Sequence, residues 1–213
     1  MTSLDIFNAG DVSMPGHYPP SQTALLLLDF HAMYVQGASA IGEAPAKVVA
    51  GLRAWAHSHN ITVIHALVDV HGTPYATIKG LPRLSPFLAV LRAEGGGGQE
   101  FPALRENLTK DEATFTRPPG FVSALKSAGI EEFLCEKGIK SLILTGLSTS
   151  GCVLRTAVPA TDAEYVVTVI SDGCADRDQE VHKLVLEKIL PTRAYVLTAD
   201  EFREGYAQVI SQV

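Results

Sequence analysis

Six short apolar runs recur along the chain with helix-periodic stretches between them, and this alternation constrains the fold more than any other property of the sequence. The first run, Ala24-Leu25-Leu26-Leu27-Leu28, offers no polar position at a two-residue period, so both of its faces must be covered. It stops at Asp29. Comparable runs lie at 61–68, 113–116, 141–145, 165–170 and 194–197. Apolar spacing predicts helices over 45–58, 130–137, 151–163, 178–190 and 199–209, with Asp178 and Asp200 as caps or first-turn acids. Strand then helix, repeated, predicts an α/β fold: three layers, α/β/α, around a six-stranded mostly parallel sheet. A chain of 213 residues suits one domain over 1–213. The first 22 residues carry Gly10, Pro15, Gly16, Pro19 and Pro20 and read as an irregular arm lying over the surface.

Composition removes several classes of function. Seventeen basic residues against twenty-three acidic ones give a formal charge of −6, and the basic residues are scattered, so nucleic-acid binding is not expected. No stretch reaches the roughly 18 apolar residues of a membrane span. The opening MTSLDIFNAG lacks the basic and apolar regions of a secretory signal, which makes a cytoplasmic location the expectation. Three cysteines cannot all pair within one chain and none forms a Cys-x-x-Cys, so free thiols are expected.

The segment 69–107 shows no clear period and holds Gly72, Pro74, Gly80, Pro82, Pro86 and the glycine run 95–98. It reads as a long functional loop, with the glycines as a flexible turn or lid hinge, since no strand precedes them and no Lys-Ser/Thr follows them as a phosphate loop requires. The densest chemistry lies in Leu142-Ile-Leu-Thr-Gly-Leu-Ser-Thr-Ser-Gly-Cys-Val-Leu-Arg-Thr-Ala157, a buried strand whose small-residue turn opens a helix at Cys152. A thiol in a first helical turn meets unpaired N–H groups and the positive end of the dipole, which predicts a lowered pKa and fast alkylation of Cys152. The competing reading is a small buried hydrophobe.

Gly-hydrophobe-small-Thr-Ser-Gly-Cys-Val, followed by Thr156-Ala157, resembles the nucleophile turn of the isochorismatase-like cysteine hydrolases. Leu25-Leu-Leu-Leu-Asp29-Phe-His31 is similar to the first strand of that superfamily, with His31 where many members carry Gln, and Val166-Val-Thr-Val-Ile-Ser-Asp-Gly173 is similar to its strand ending in Ser-Asp. The resemblance runs from about residue 23 to 198. It implies a Rossmann-like sheet with its first and fourth strands adjacent, which would bring Asp29 and Cys152 together as proton acceptor and nucleophile. It also implies a cis bond at Leu147–Ser148 and an oxyanion hole made by the N–H groups of Ser148 and Cys152.

One residue departs from the pattern. The family's third catalytic group is a lysine four positions before a Ser-Ala-Phe segment, and here Pro119 stands at that spacing before Ser123-Ala124-Leu125. Arg117, two residues earlier, is the candidate cation, its alternative being a surface arginine in a Pro-Gly loop. Asp69-Val-His71 resembles half of a nicotinamidase metal set without the further histidine, so no metal and no cofactor are expected. His57 and His59 read as structural groups at a helix end, Cys135 as core and Cys174 as a turn residue. Phe30, His31, Tyr34, Tyr75 and Phe121 are candidate pocket walls.

These features point to hydrolysis of a small-molecule C–N bond (amide, imide, lactam or urea-like) through a thioester at Cys152. The alternatives are isochorismatase-type vinyl-ether cleavage and a non-catalytic binding protein on the same fold. A nucleotide-binding Rossmann protein fits less well, because Phe30-His31 follows the first strand where a Gly-x-Gly turn belongs. The expected partners are a small-molecule substrate and further copies of the chain, as a homo-oligomer (dimer or tetramer).

Overall fold

The computed structural model describes residues 5–37, 40–109 and 112–211. Its strands are β1 (Thr23–Leu28), β2 (Thr62–Val68), β3 (Glu112–Arg117), β4 (Ser141–Leu147), β5 (Val166–Ala175) and β6 (Tyr195–Leu197). They form one six-stranded sheet in the order β3-β2-β1-β4-β5-β6, and every pairing is parallel rather than merely most of them. The helices are α1 (Ala32–Gln36), α2 (Glu43–Ser58), α3 (Leu81–Arg92), α4 (Ile130–Glu136), α5 (Leu154–Asp162), α6 (Gln179–Leu184) and α7 (Ala199–Ile210). Asp178 caps α6 by accepting from the N–H groups of Glu180 and Val181, while α7 is capped by Thr198 and Glu201, leaving Asp200 as a first-turn acid.

Leu26 and Leu28 of β1 face one apolar cluster with α4 and α5, while Leu25 and Leu27 face the other with α2 and α7. All four leucines are fully buried, each contributing roughly 2 kcal/mol of apolar transfer free energy. The run is apolar throughout because the sheet is covered on both faces. From β1 the chain winds outward to β2 and β3, and from β4 it winds the other way to β5 and β6. The carboxyl ends of β1 and β4 therefore flank a topological switch point, where open α/β sheets place their ligands.

Three expectations change. The N-terminal arm, described from residue 5, consists of single turns at Asp5–Phe7, Pro15–His17 and Pro20–Gln22 rather than irregular chain, and it does not merely lie on the surface. Ile6 and Phe7 are buried, and the Phe7 ring sits over Gly205 with its edge to Phe202 and Tyr206, at centroid distances of 5.7 and 6.2 Å. Within 69–107 lies α3, whose Leu84, Phe87, Leu88 and Leu91 share one face with Val70. Pro82 occupies the tolerated first turn, and Pro86 removes a single backbone donor, so the prolines disguise a 12-residue helix without preventing it.

The glycine run is a fastening rather than a free hinge. Met33 and Ala32 donate to the carbonyls of Gly97 and Gln99 at 3.0 and 2.8 Å, and Phe101 donates to Phe30 O at 2.7 Å. Gly97 has φ +73°, and a Cβ there would lie 2.7 Å from the Met33 nitrogen, so a glycine is required for this close approach.

Candidate active site

Asp29 follows the last residue of β1 with φ +56°, a left-handed conformation that aspartate tolerates better than most residues and that turns its carboxylate across the sheet end. Its N–H continues the pairing to Ala66 O at 3.1 Å, and Oδ1 accepts from the Val68 N–H at 3.1 Å. Oδ2 accepts from the guanidinium Nη2 of Arg117. Arg117 is the last residue of β3, two strands away, and reaches over the end of β2 while Nε donates to Phe121 O at 3.1 Å. It is 1% exposed, so the surface reading is excluded. A fully desolvated guanidinium is costly unless a carboxylate partners it, and Asp29, 6% exposed, is that partner.

Facing this pair is the turn after β4. The Leu147–Ser148 bond is cis, and the turn Thr149–Val153 then wraps around Ser148 O, which accepts from Gly151 N at 3.1 Å and Val153 N at 3.3 Å. Cys152 Sγ lies 3.6 Å from Ser148 O and 3.9 Å from Leu28 O. The regular helix starts only at Leu154, and Gly151 has ψ −112°, so Cys152 does not sit in a regular first turn. Nor is its thiol acidified. Burial, at 2% exposure, and the Asp29 carboxylate push the thiol well above its ordinary value, and Arg117 offsets only part of this. The expectation of a lowered pKa is therefore corrected: desolvation and a like charge dominate at this thiol.

Asp176, in the loop between β5 and α6, secures the turn. Its two oxygens accept from the N–H groups of Ser150 (2.7 Å) and Arg177 (2.8 Å). Burial works against its charge, yet these donors hold the carboxyl below its ordinary range. Ser171 and Asp172, the Ser-Asp pair of the family-like strand, lie within β5 and away from this turn. Those residues tie β5 to its neighbours, Ser171 Oγ donating to Leu197 O at 3.1 Å and Asp172 Oδ1 accepting from Ala199 N at 2.8 Å.

Asp29, Arg117, Ser148 and Cys152 lie along a cavity of about 630 Å³. His31 and Tyr34 form one wall with Leu84, Phe87 and Leu88 of α3, Phe121 and Val122 form another, and the exposed Arg83 and Arg177 stand among its polar lining. Burial first, then the Asp29 charge, raises the Tyr34 phenol to about 12, so it stays neutral. Two expected wall residues are misplaced. Phe30 points away into the core beside α2, and Tyr75 stands behind the wall, 40% exposed, its ring 5.1 Å from that of Phe121. The α3 face, Arg83, Asp176 and Arg177 were missed. Leu84, Phe87, Leu88 and Leu91 do carry helical spacing that could have revealed the wall.

The remaining chemical groups fall elsewhere. Asp69 Oδ1 accepts from the His71 N–H at 3.0 Å, and among the described residues no group of three or more His, Cys, Asp or Glu is arranged to hold a metal. His59 Nδ1 contacts Trp55 O at 2.7 Å, at the helix end, but His57 Nε2 reaches Glu112 Oε1 at 3.2 Å instead of a terminal carbonyl. Cys135 is exposed rather than core, its side of α4 facing outward, and Cys174 is buried inside β5 because that strand runs on past its expected end. No helix among the described residues is long and apolar enough to cross a membrane.

Comparison with known proteins agrees with this arrangement. The chain is 24% identical over 165 residues to the maleamate amidohydrolase of Pseudomonas putida, covering 75% of each chain. It is 29% identical over 70 residues to isochorismatase domain-containing protein 2 of Xenopus laevis, a match to 33% of this chain and about a third of that relative's length (34%). Among solved structures, the cysteine hydrolase of Pseudomonas syringae pv. phaseolicola superposes with a TM-score of 0.77 at 18% identity, covering 90% of this chain and 95% of the other, which shows a shared fold. A family model described as the isochorismatase domain matches residues 23–201, the span that holds every strand and every residue of the pocket floor. The chain therefore belongs to the isochorismatase-like hydrolase family.

Proposed function

We propose that this protein hydrolyses a small-molecule C–N bond of amide type through a thioester at Cys152. The observation that carries this reading is the buried Asp29–Arg117 ion pair set beside a buried thiol, both lining one cavity. The raised thiol fits a nucleophile that gives up its proton only as it attacks. Asp29 accepts that proton while sulfur bonds to the carbonyl carbon and the C=O π pair moves to oxygen, where the N–H groups of Ser148 and Cys152 stabilise it. The protonated Asp29 then gives its proton to the leaving nitrogen as the C–N bond breaks. Water, deprotonated by the same carboxylate, releases the acid, and the sulfur regains its proton. Arg117, paired with Asp29 Oδ2, offsets the negative charge at the site without moving a proton itself.

The relationship to a maleamate amidohydrolase supports the amide reading. A screen of maleamate, nicotinamide, small ureas, lactams and isochorismate, with Cys152→Ala as blank, tests it. Amide turnover abolished in the variant is the expected result, and parent-level turnover in the variant refutes the thioester. The raised thiol also favours a second reading, vinyl-ether cleavage, in which no thiolate is required. Turnover of isochorismate that survives Cys152→Ala would select it.

A further inference from the structure

His31 has one ring nitrogen engaged and one idle. Nδ1 lies 2.6 Å from Gly98 O, and a carbonyl oxygen can only accept, so Nδ1 carries a hydrogen. Gly98 is positioned by the backbone fastening of 97–101 against 30–33, which fixes the ring's orientation. Nε2 is buried without a hydrogen-bond partner, in a residue 3% exposed that lines the cavity. It lies 3.8 Å from Asp29 Oδ1, well beyond the 2.7–2.9 Å of a charge-assisted hydrogen bond. The carboxylate takes its close charged contact from Arg117 instead. Nε2 is thus the ring nitrogen left without a partner, at the cavity and beside the carboxylate.

We infer that His31 Nε2 accepts an N–H of the scissile amide and thereby aims the leaving nitrogen's lone pair at Asp29. The inference rests on the amide reading above and deepens it: the substrate must carry at least one hydrogen on the leaving nitrogen. As carbon becomes tetrahedral, that nitrogen pyramidalises and exposes a lone pair. With one N–H held by Nε2, the lone pair faces the proton that Asp29 took from Cys152, and the C–N bond breaks as that proton arrives. Esters and N,N-dialkyl amides have no N–H to offer, so Nε2 stays unpartnered in their complexes and gains nothing from binding them. His31 is thus a specificity-determining residue selecting primary and monosubstituted amides.

The tautomer is read by ¹⁵N NMR of histidine-labelled protein, with His31→Gln assigning the signals. A protonated Nδ1 and an unprotonated Nε2 at pH 7 are expected, and a protonated Nε2 overturns the inference. The role is read from maleamate against monomethyl maleate and from nicotinamide against N,N-dimethylnicotinamide, in parent, His31→Gln, His31→Phe and Cys152→Ala. His31→Phe should cost the N–H-bearing probes about 10- to 100-fold more in kcat/KM than it costs their counterparts without an N–H. His31→Gln, whose amide oxygen can accept, should recover part of the loss. Equal losses on both members of each pair overturn the inference while leaving the thioester reading intact. Undiminished turnover in Cys152→Ala refutes the thioester reading itself.

Discussion

Arg117→Met tests the centre of the proposed chemistry. The change keeps the unbranched stem of the side chain as far as the position of Nε, removes the guanidinium beyond it, and leaves Asp29 as a buried carboxylate with the Val68 N–H as its remaining named donor. Removing one partner of a buried pair costs about 3–5 kcal/mol, and the uncompensated group responds by holding a proton. A protonated Asp29 cannot take the Cys152 proton. At 1.36 kcal/mol per decade, kcat/KM at pH 7 should fall by roughly 10²–10⁴-fold, and the acid limb of its pH profile should move upward. Arg117→Lys keeps the charge but not the fork that spans Asp29 and Phe121 O, so it should retain partial activity. Stability is read alongside by thermal melting, because an unpaired buried charge also weakens the fold. Asp29→Asn/Arg117→Met removes both charges and should recover most of the lost stability while remaining inactive. A parent-level rate with an unshifted pH profile in Arg117→Met would refute the reasoning.

Iodoacetamide should label the exposed Cys135 before Cys152 at neutral pH, and Asp29→Asn should speed labelling of Cys152 by removing a charge that raises its thiol, as peptide mass spectrometry can follow. Glu112, the first residue of β3, receives a bidentate hydrogen bond from Arg53 (2.6 Å each) and a contact with His65 Nε2 at 3.0 Å, and although burial opposes its charge, these partners bring its carboxyl down to about 2. Its stabilisation is complete above the ordinary carboxylate value of 4.5 and is lost as pH falls towards about 2. Despite burial, contacts with Glu100 and Glu112 raise His65, whose stabilisation is complete below 6.5 and is lost as pH rises through the raised value. Glu112→Gln should therefore cost most between these limits, by about 3 kcal/mol, and the melting difference should close in strong acid. Phe7→Ala should destabilise by about 3 kcal/mol in chemical denaturation, since the arm packs into the α7 side of the core.

Backbone period and short motifs are local properties, and they determined the parallel α/β class, all six strands and the positions of Asp29 and Cys152. Leu25 to Leu28 lack a polar face whatever surrounds them, and a small-residue turn after a buried strand exposes its end in any such sheet. Tertiary structure decided what depends on approach through space. Arg117 reads as a loop arginine until β3 pairs beside β2 and aims it over the sheet end at Asp29. The Cys152 thiol follows the same logic, because its turn favours thiolate while burial and the Asp29 charge, brought together across 123 positions of chain, oppose it more strongly. Phe30 and His31 are adjacent in sequence, yet one enters the core and the other the cavity, a division set by the turn that follows Asp29. The α3 wall escaped notice because Pro82 and Pro86 argue against a helix locally, whereas burial of Leu88 and Leu91 against Val70 stabilises one globally. Local sequence fixes which groups the chain carries to the sheet's edge, and only three-dimensional packing fixes which of them lose water and which charges they then face.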